Sequence, residues 1–341
     1  MTYRTRRILQ RLGIIALIVI LIGILASFCW VIWLERYVVY ADGGATLNFD
    51  LPDPGPGQIA SPPNRDETVP IYYNEGENTL QDFSVLTRVN GYYIDADTLV
   101  NDLEGARAAI ATLDPGTAVM IELKNAKGYF YYSSNLVDAV HATHIDITAV
   151  DSLIADITSR GLYAIAKIPA FVDWNFGLNH VSSGLPLPQG YLWVDERGNY
   201  WLNPINSGTQ NWLFQIIQEL KSLGFSEVVL SDFRMPTSER IVFNGDREEA
   251  VIKAAQTLAT NCAVTSMAVS FIVTDPAFKL PEGRCRMYME NVGAKEVPSV
   301  ISKVTVPDPI VNLVFIANTN DTRYNEYSIL RPIATAGENR E

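Results

Sequence analysis

The chain has 341 residues, of which 48% are hydrophobic and 19% charged, and its formal net charge is −12. This composition excludes a disordered chain, a collagen-like repeat and a small disulfide-dense protein, because the apolar fraction is high and only three residues are cysteine. The acidic balance also argues against a nucleic-acid partner, since nucleic-acid-binding proteins need a basic surface to displace counterions.

The first predicted element is a transmembrane helix over residues 13–34, a run of 22 residues without a charge. At about 1.5 Å per residue it reaches roughly 33 Å, enough for a hydrocarbon core about 30 Å thick. Four arginines precede the run and one follows it, which predicts a cytoplasmic basic tip at residues 1–12 and an extracellular body. Aromatic residues typical of a membrane interface gather at its outer end: Trp30, Trp33, Tyr37 and Tyr40.

The alternative is a signal peptide cleaved near Ala41. The apolar core of a signal peptide usually has about 7–15 residues, and this run is longer, which favours an uncleaved single-pass anchor in a cell membrane. The predicted lipid contact is therefore the bilayer around residues 13–34. A Gly- and Pro-rich linker over residues 35–67 follows, and its part from Ala41 onward predicts an extended spacer rather than helix or sheet.

The remaining domain, residues 68–341, alternates predicted strands with predicted helices. The strands are expected at 89–95, 117–123, 162–171, 226–233, 263–275, 284–291 and 310–318, with a weaker eighth at 326–332. Helices are expected at 103–113, 151–161, 209–225 and 246–261, and the second of these would begin at an Asp151 N-cap and end at Gly161. This order predicts an α/β fold with parallel strands, and we favour a (β/α)8 TIM-like barrel with an incomplete last unit over an open doubly wound sheet.

In a barrel of this kind, chemistry takes place at the C-terminal ends of the strands. Carboxylates and aromatic rings are frequent in the corresponding segments of this chain. Flat rings stack on the C–H faces of sugars, and paired carboxyl groups hydrolyse glycosidic bonds. Packing of the long loops onto the barrel is the alternative explanation for each ring.

Several segments resemble the putative glycosyl hydrolase domain family, which comprises bacterial, α-amylase-like TIM-barrel proteins mostly of unknown activity. The stretch GYLWVDERGNYWLNP (190–204) is similar to the family pattern G-x-x-W-x-D-x-x-G-x-x-W-x-D-P, and LGFSEVVLSDFRMP (223–236) to G-F-D-E-I-x-F-D-Y-V-R-F-P. IELKNAKGYFYY (121–132) and IAKIPAFVD (165–173) resemble D-V-K-D-D-S-G-x-x-x-Y and I-A-R-I-x-x-F-x-D. The resemblance covers about residues 88–240 and implies the barrel fold and carbohydrate chemistry.

This chain departs from the family pattern at acidic positions. The aspartate of F-D-Y falls on Ser231, and Asp232 falls where the family has tyrosine, so regular alternation would turn Asp232 away from the barrel axis unless a bulge or an early strand end turned it back. Two further acids are replaced by Asn125 and Asn203, while Glu122 keeps a carboxylate. These departures leave an active hydrolase and an inactive barrel both open.

For an active enzyme, the predicted catalytic residues are Asp232 as nucleophile or base and Glu122 or Glu290 as acid, because a glycosidase needs two carboxyl groups. Arg234 would hold a carboxylate ionised or bind an anionic sugar substituent. The alternative is that Asp232–Arg234 and Glu122–Lys124 are structural pairs at the rim. The predicted substrate-binding set is Tyr93, Lys124, Asp173, Trp174, Trp193, Trp201 and Arg234.

No metal or cofactor is expected. His141 and His144 have an H-x-x-H spacing but no third ligand, and the sequence contains neither H-E-x-x-H nor G-x-S-x-G. Cys29 lies within the predicted span, so a disulfide would join Cys262 and Cys285, and two buried thiols are the alternative.

The sequence therefore predicts a membrane-anchored, extracellular, glycoside-hydrolase-like barrel that acts on an envelope or extracellular polysaccharide. The alternatives are an inactive barrel that binds a glycan or a protein partner, and a scaffold in a surface assembly.

Overall fold

The computed structural model describes residues 38–41, 44–47, 86–263 and 266–334, and five helical residues within the predicted membrane span: Leu21, Gly23, Ala26, Ser27 and Trp30. The rest of that span lies outside the described residues. Among the residues that are described, no helix combines the length and the apolar character that crossing a bilayer requires. The chain divides into two compact units, Met1–Glu77 and Asn78–Glu341.

The first unit contains a short antiparallel strand pair, Val38–Ala41 with Gly44–Leu47, in which Ala41 lies opposite Gly44. The expectation of an extended spacer from Ala41 onward was therefore wrong at this point. The two intervening residues are Asp42 and Gly43, and Asp-Gly is one of the strongest signals for a two-residue hairpin. That local signal outweighs the general composition of the linker.

The second unit is built on a closed barrel of eight parallel strands, which confirms the predicted barrel and excludes the open sheet. Each strand pairs with the next, and the eighth pairs with the first. The weakly indicated eighth strand is a regular member, since three of its five residues are buried. The strands are β1 (Asn90–Ile94), β2 (Ala118–Glu122), β3 (Tyr163–Pro169), β4 (Glu227–Ser231), β5 (Ala268–Ile272), β6 (Met287–Glu290), β7 (Leu313–Ile316) and β8 (Ser328–Pro332).

Helices connect the strands. Most of them begin at an Asp or Asn whose side chain accepts a hydrogen bond from a backbone N–H of the first turn. They are α1 (Ala96–Asn101), α2 (Leu103–Ile110), α3 (Ile147–Ser159), α4 (Trp174–Asn179), α5 (Ser207–Ser222), α6 (Arg247–Ala263), α7 (Val297–Ile301) and α8 (Pro309–Asn312).

Helix α3 corrects one predicted boundary. It begins after Asp146, whose carboxylate accepts from Ala149 N, so Asp151 lies inside the helix and is not its N-cap. The Asp151 carboxylate instead accepts a 3.0 Å hydrogen bond from Ser133 N and a second bond from the Ser133 hydroxyl. The predicted end is close to the observed one, because Gly161 adopts a left-handed conformation (φ 72°) just beyond the helix.

The barrel interior changes from polar to apolar and back to polar along its axis. Its middle layer is apolar and includes Met120, Ile165, Val229 and Leu330. Its floor, at the N-terminal ends of the strands, contains a buried ion pair between Glu227 and Arg286, whose side chains are 0% and 1% exposed.

Hydroxyl groups complete the hydrogen bonding of this floor pair. Tyr163 and Tyr288 donate to the two Glu227 carboxylate oxygens at 2.9 and 3.0 Å, and the Ser270 hydroxyl donates to one of them. A buried charge pair is tolerated only when its remaining polar atoms are bonded, and this network meets that condition.

Candidate active site

The opposite end of the barrel interior, the mouth, carries charged side chains at the ends of three strands. Glu122 ends β2, Lys167 lies near the end of β3, and Glu290 ends β6. Glu122 and Lys167 are register partners on neighbouring strands, so their side chains project to the same side of the sheet. The three groups line one cavity together with Ser231 and Asp232.

Lys167 forms an ion pair across the mouth with Glu290, with Nζ 2.7 Å from Oε1 and both side chains less than one third exposed. Burial acts to lower the pKa of Lys167, but the charge of Glu290 and its hydrogen bond outweigh burial, so the pKa is raised. The pair therefore favours an ammonium beside a carboxylate.

Glu122 has a raised pKa, chiefly because it is buried. The charge of Lys167 opposes this shift, and the negative charges of Asp95, Glu290 and Asp232 add to it. Within the described part of the barrel, the Glu122 carboxyl group takes part in no recorded ion pair. The raised pKa favours the protonated form of this partly buried carboxyl group more than is usual for a glutamate.

Asp232 reaches the mouth through a break in the regular strand. Strand β4 ends at Ser231, and Asp232 adopts a left-handed conformation with φ 50°. Alternation along a continued strand would have pointed its side chain outward, but the left-handed residue re-aims the chain, and both Ser231 and Asp232 line the cavity. Burial raises the pKa of Asp232, while the charges of Arg234 and Lys167 act in the opposite direction.

Arg234 is exposed at the rim, and its guanidinium lies over the Trp201 ring at 4.6 Å from the ring centroid. Trp201 is itself only 4% exposed, and its indole N–H donates to Asp195 Oδ2 at 3.0 Å. Burial and this hydrogen bond hold the Trp201 ring in place, and the Arg234 guanidinium packs against it. Trp201 is placed to orient this arginine rather than to stack on a sugar.

Lys124 and Asp173 were predicted to bind substrate, but they form a buried ion pair of 2.7 Å with side chains 1% and 2% exposed. Asp173 also accepts from Phe176 N at 2.8 Å, as the N-cap of α4, and from Trp212 Nε1 at 3.1 Å. With its oxygens occupied in this way, Asp173 joins the loops after β2 and β3. The geometry gives Asp173 a structural role, whereas Lys124 is neutralised by Asp173 but also lines the mouth cavity.

The predicted aromatic contacts separate into two groups. Trp174 stacks on Tyr200, with ring centroids 6.1 Å apart, and Trp193 packs edge-on against Trp201 at 6.5 Å. Neither Trp174 nor Trp193 lines the cavities described at the mouth, so the packing alternative holds for them. Tyr93 does line the mouth, and its hydroxyl donates to Asn318 Oδ1 at 2.6 Å.

The asparagines that replace family acids have local structural roles. Asn125 Oδ1 accepts from the backbone N–H groups of Lys127 and Tyr129, both at 3.0 Å. Asn203 Oδ1 accepts from Ile205 N at 3.2 Å. An aspartate would accept the same bonds, so the two replacements preserve the local loop structure, and at Asn125 an amide lines the mouth cavity where the family pattern has an acid.

Sequence reasoning did not single out Lys167 or the floor pair. Two signals pointed to Lys167: it is a charged residue in the apolar run IAKIPAF, and the family segment I-A-R-I carries a cation at the same place. Alternation from Tyr163 and Ile165 puts Lys167 on the interior face. Glu227 and Arg286 lie in different predicted strands, 59 residues apart, and no local pattern pairs them.

The histidines and the two described cysteines, Cys262 and Cys285, do not line the mouth cavities. His141 Nε2 is 3.1 Å from Ser134 O, and His144 packs edge-on against Tyr131. Among the described residues, no group of three His, Cys, Asp or Glu is arranged to hold a metal ion. Cys262 and Cys285 are buried thiols, and burial raises the pKa of these groups to about 11 and about 12.

A closed barrel of eight parallel strands whose connections include helices is the TIM-barrel architecture. The sequence profile of the family described as "Putative glycosyl hydrolase domain" matches residues 100–271, which include β2 to β4, most of β5 and the catalytic candidates Glu122 and Asp232. The chain belongs to this family.

Two solved structures that share the fold at low sequence identity are glycoside hydrolases. The exo-β-N-acetylglucosaminidase from Vibrio harveyi has a TM-score of 0.52 and 8% identity, over 72% of this chain and 50% of its own. The α-galactosidase from Lactobacillus brevis also has a TM-score of 0.52 and 8% identity, over 74% and 38%. The chain thus spans half or less of these enzymes, and the likeness shows the fold. No curated protein sequence matches the chain significantly.

Proposed function

We propose that the protein is a glycoside hydrolase that cleaves a polysaccharide or oligosaccharide at the barrel mouth. Family membership supports carbohydrate chemistry in general. The observation that carries the catalytic assignment is that the left-handed Asp232 brings a second, partly buried carboxyl group to the cavity of Glu122. Two carboxyl groups in one cleft are what hydrolysis of a glycosidic bond requires.

In this proposal Glu122 donates a proton to the leaving glycosidic oxygen, since its raised pKa favours the protonated form. Asp232 attacks the anomeric carbon or activates water, and the neighbouring charges of Arg234 and Lys167 favour its ionised form. Glu290 is paired with Lys167 and serves less well as a proton donor. We therefore assign the acid to Glu122 rather than to Glu290.

The test is a turnover and binding screen with the full chain on purified bacterial envelope polysaccharides and on neutral and amino-sugar glycans of both anomeric linkages. Glu122→Gln and Asp232→Asn are compared with the exposed controls Glu282→Gln and Asp114→Asn. Turnover that both site variants strongly reduce, with binding kept, supports the hydrolase. Turnover unaffected by either site variant contradicts the assignment.

A second candidate is an inactive barrel that binds glycan. It is favoured by the serine at position 231, where the family pattern has an aspartate. In the same screen, this candidate predicts glycan binding by the wild type without turnover. Ser231→Asp would then be the informative variant, because it restores the family's residue at the end of β4.

We further propose that residues 13–34 anchor the protein in a bacterial cell membrane, with the N-terminus cytoplasmic and the barrel outside, close to envelope or extracellular polysaccharide. The charge-free run and the arginines that precede it support this topology. Fractionation and protease treatment of intact cells test it. Membrane-bound protein with a protease-accessible barrel is expected, whereas barrel released into the medium would indicate a cleaved signal peptide.

A further inference from the structure

The barrel mouth contains two cavities that meet at the proposed catalytic groups. The first, lobe A, has a volume of about 570 Å³ and lies over the ends of β4 and β5. The second, lobe B, has a volume of about 940 Å³ and lies over the ends of β1, β6 and β7. Glu122, Lys167 and Glu290 line both lobes, so the proposed proton donor lies where they join.

Each lobe alone is large enough for a ligand. Ligand sites usually have volumes of about 300–1,000 Å³, and both lobes fall in that range. An enzyme that removes terminal sugars needs space for one ring on one side of the scissile bond. Here there is space on both sides of Glu122, which suits a chain that continues in both directions.

The two lobes differ in the chemistry of their walls. Lobe A offers apolar surface from Met235, Val251 and Phe278, beside Asp232 and Arg234. Lobe B is lined mainly by groups that exchange hydrogen bonds with hydroxyls: Tyr93, Asp95, Asn291, Lys295, Asn318 and Asp321. A sugar chain could therefore pack a C–H face in lobe A and present its hydroxyl groups in lobe B.

Each lobe also contains a residue in the same uncommon backbone conformation. Asp232 (φ 50°) follows β4 and lines lobe A, and Asn291 (φ 59°) follows β6 and lines lobe B. Residues other than glycine rarely adopt this conformation, and those that do concentrate at active sites and ligand clamps. Ser266 (φ 57°) adopts the same conformation and lines neither lobe, so the conformation explains how Asp232 and Asn291 turn toward the mouth and is not itself evidence of a ligand.

We propose that lobe B is a sugar-binding subsite on the far side of the scissile bond from lobe A, and that the protein cleaves internal bonds of a glycan chain. This inference rests on the proposed hydrolase function and adds the form of the substrate. Asn291 and the Tyr93–Asn318 pair would contact the sugars in lobe B. The ligand class is an oligosaccharide or polysaccharide that extends on both sides of the bond that is cut.

Tryptophan substitutions that fill one lobe at a time test the proposal. Thr237 and Thr319 are exposed and line lobe A and lobe B respectively, and Thr112 is an exposed threonine after α2 that lines neither. Thr237→Trp, Thr319→Trp and Thr112→Trp are made in the Glu122→Gln full chain, which is expected to bind without cleaving. The probes are end-labelled hexasaccharides and disaccharides of the glucose, galactose and N-acetylhexosamine series, in both anomeric linkages.

We expect Thr237→Trp and Thr319→Trp each to weaken hexasaccharide binding about tenfold, and Thr112→Trp to leave it unchanged. Disaccharide binding should respond to one lobe substitution only. With active protein, the first products from the hexasaccharide should be of intermediate length. Unchanged hexasaccharide affinity in Thr319→Trp, or release of monosaccharides only, would overturn the proposal.

The same experiment separates this inference from the proposed function. Hexasaccharide binding that responds to both lobes without any cleavage by wild-type protein supports the two-lobed site and refutes the hydrolase. Cleavage confined to terminal sugars supports the hydrolase and refutes the internal mode. A chain that binds none of the hexasaccharides refutes both.

Discussion

Lys167 Nζ lies 2.7 Å from Glu290 Oε1, and this ion pair spans the mouth between β3 and β6, which are not neighbours in the barrel. The charge of Lys167 also acts against the raised pKa values of Glu122 and Asp232. The positive charge of Lys167 thus acts on three carboxyl groups, Glu122, Asp232 and Glu290. The relative strength of its interaction with each of them influences which one holds a proton.

Glu122→Gln should reduce turnover of natural glycans by about 10²–10⁴-fold, the contribution typical of general acid–base catalysis. Aryl glycosides with good leaving groups need little protonation, so their hydrolysis should be reduced much less. The measurement is kcat across a series of aryl glycosides of decreasing leaving-group pKa. A loss of equal size for all leaving groups would show that Glu122 is not the proton donor.

The pH dependence of kcat/KM should be bell-shaped, with both limbs above the ordinary carboxyl range of about 4. The pKa of Asp232 is raised, so activity should be lost as the pH falls through that raised value. The pKa of Glu122 is also raised, and activity should be lost as the pH rises through it. The alkaline limb should disappear in Glu122→Gln and persist in Glu282→Gln.

The same carboxyl group predicts a dependence of stability on pH. Because folding raises the pKa of Glu122, its contribution to stability is fully present below the unfolded pKa and is lost as the pH rises through the folded one. Glu122→Gln should therefore unfold at a higher temperature than the wild type at neutral pH, with the advantage disappearing in acid. Thermal unfolding at several pH values measures this, and a variant less stable than the wild type at neutral pH would contradict it.

Lys167→Met should lower the free energy of unfolding by about 1–3 kcal/mol, between the values for exposed and fully buried ion pairs. It should also move both limbs of the pH profile to higher pH, because Glu122 and Asp232 lose a positive neighbour. Adding Glu290→Gln should recover part of the stability, since no unpaired carboxylate then remains. A double-mutant cycle of Lys167→Met and Glu290→Gln measures the coupling between the two residues. If the two substitutions changed the free energy of unfolding additively, the ion pair would not be stabilising.

Arg286→Met should be more damaging, lowering the free energy of unfolding by about 3–5 kcal/mol, because it leaves the Glu227 carboxylate buried without its partner. Arg323→Met provides the control, since its pair with Asp321 is far more exposed than the floor pair and should contribute little. Urea unfolding measures both variants. Equal effects in the two would mean that the floor pair does not stabilise the barrel.

The barrel could be predicted from the sequence because its strands are apolar runs separated by segments with helical periodicity. Even the eighth strand had a weak apolar run, at residues 326–332. Glu122, Asp232 and Glu290 could be placed at the mouth because each lies at the end of a predicted strand. The direction of Asp232 could not be predicted, since it depends on one left-handed residue. Lys124 and Asp173 were assigned to substrate because nothing local shows that residues 49 positions apart neutralise each other.

The two ends of the described barrel chain lie at opposite ends of the barrel axis. Arg286 on the floor donates to Thr87 O at 2.6 Å, and Arg88 Nε donates to Tyr327 O at 3.1 Å, which fixes the segment that leads into β1 at the floor. At the other end, Ile333 N donates to Tyr93 O beside the mouth. A reporter or surface tether joined ahead of β1 would therefore be attached away from the cleft, whereas one joined after β8 would start at its rim and compete with a long glycan for space.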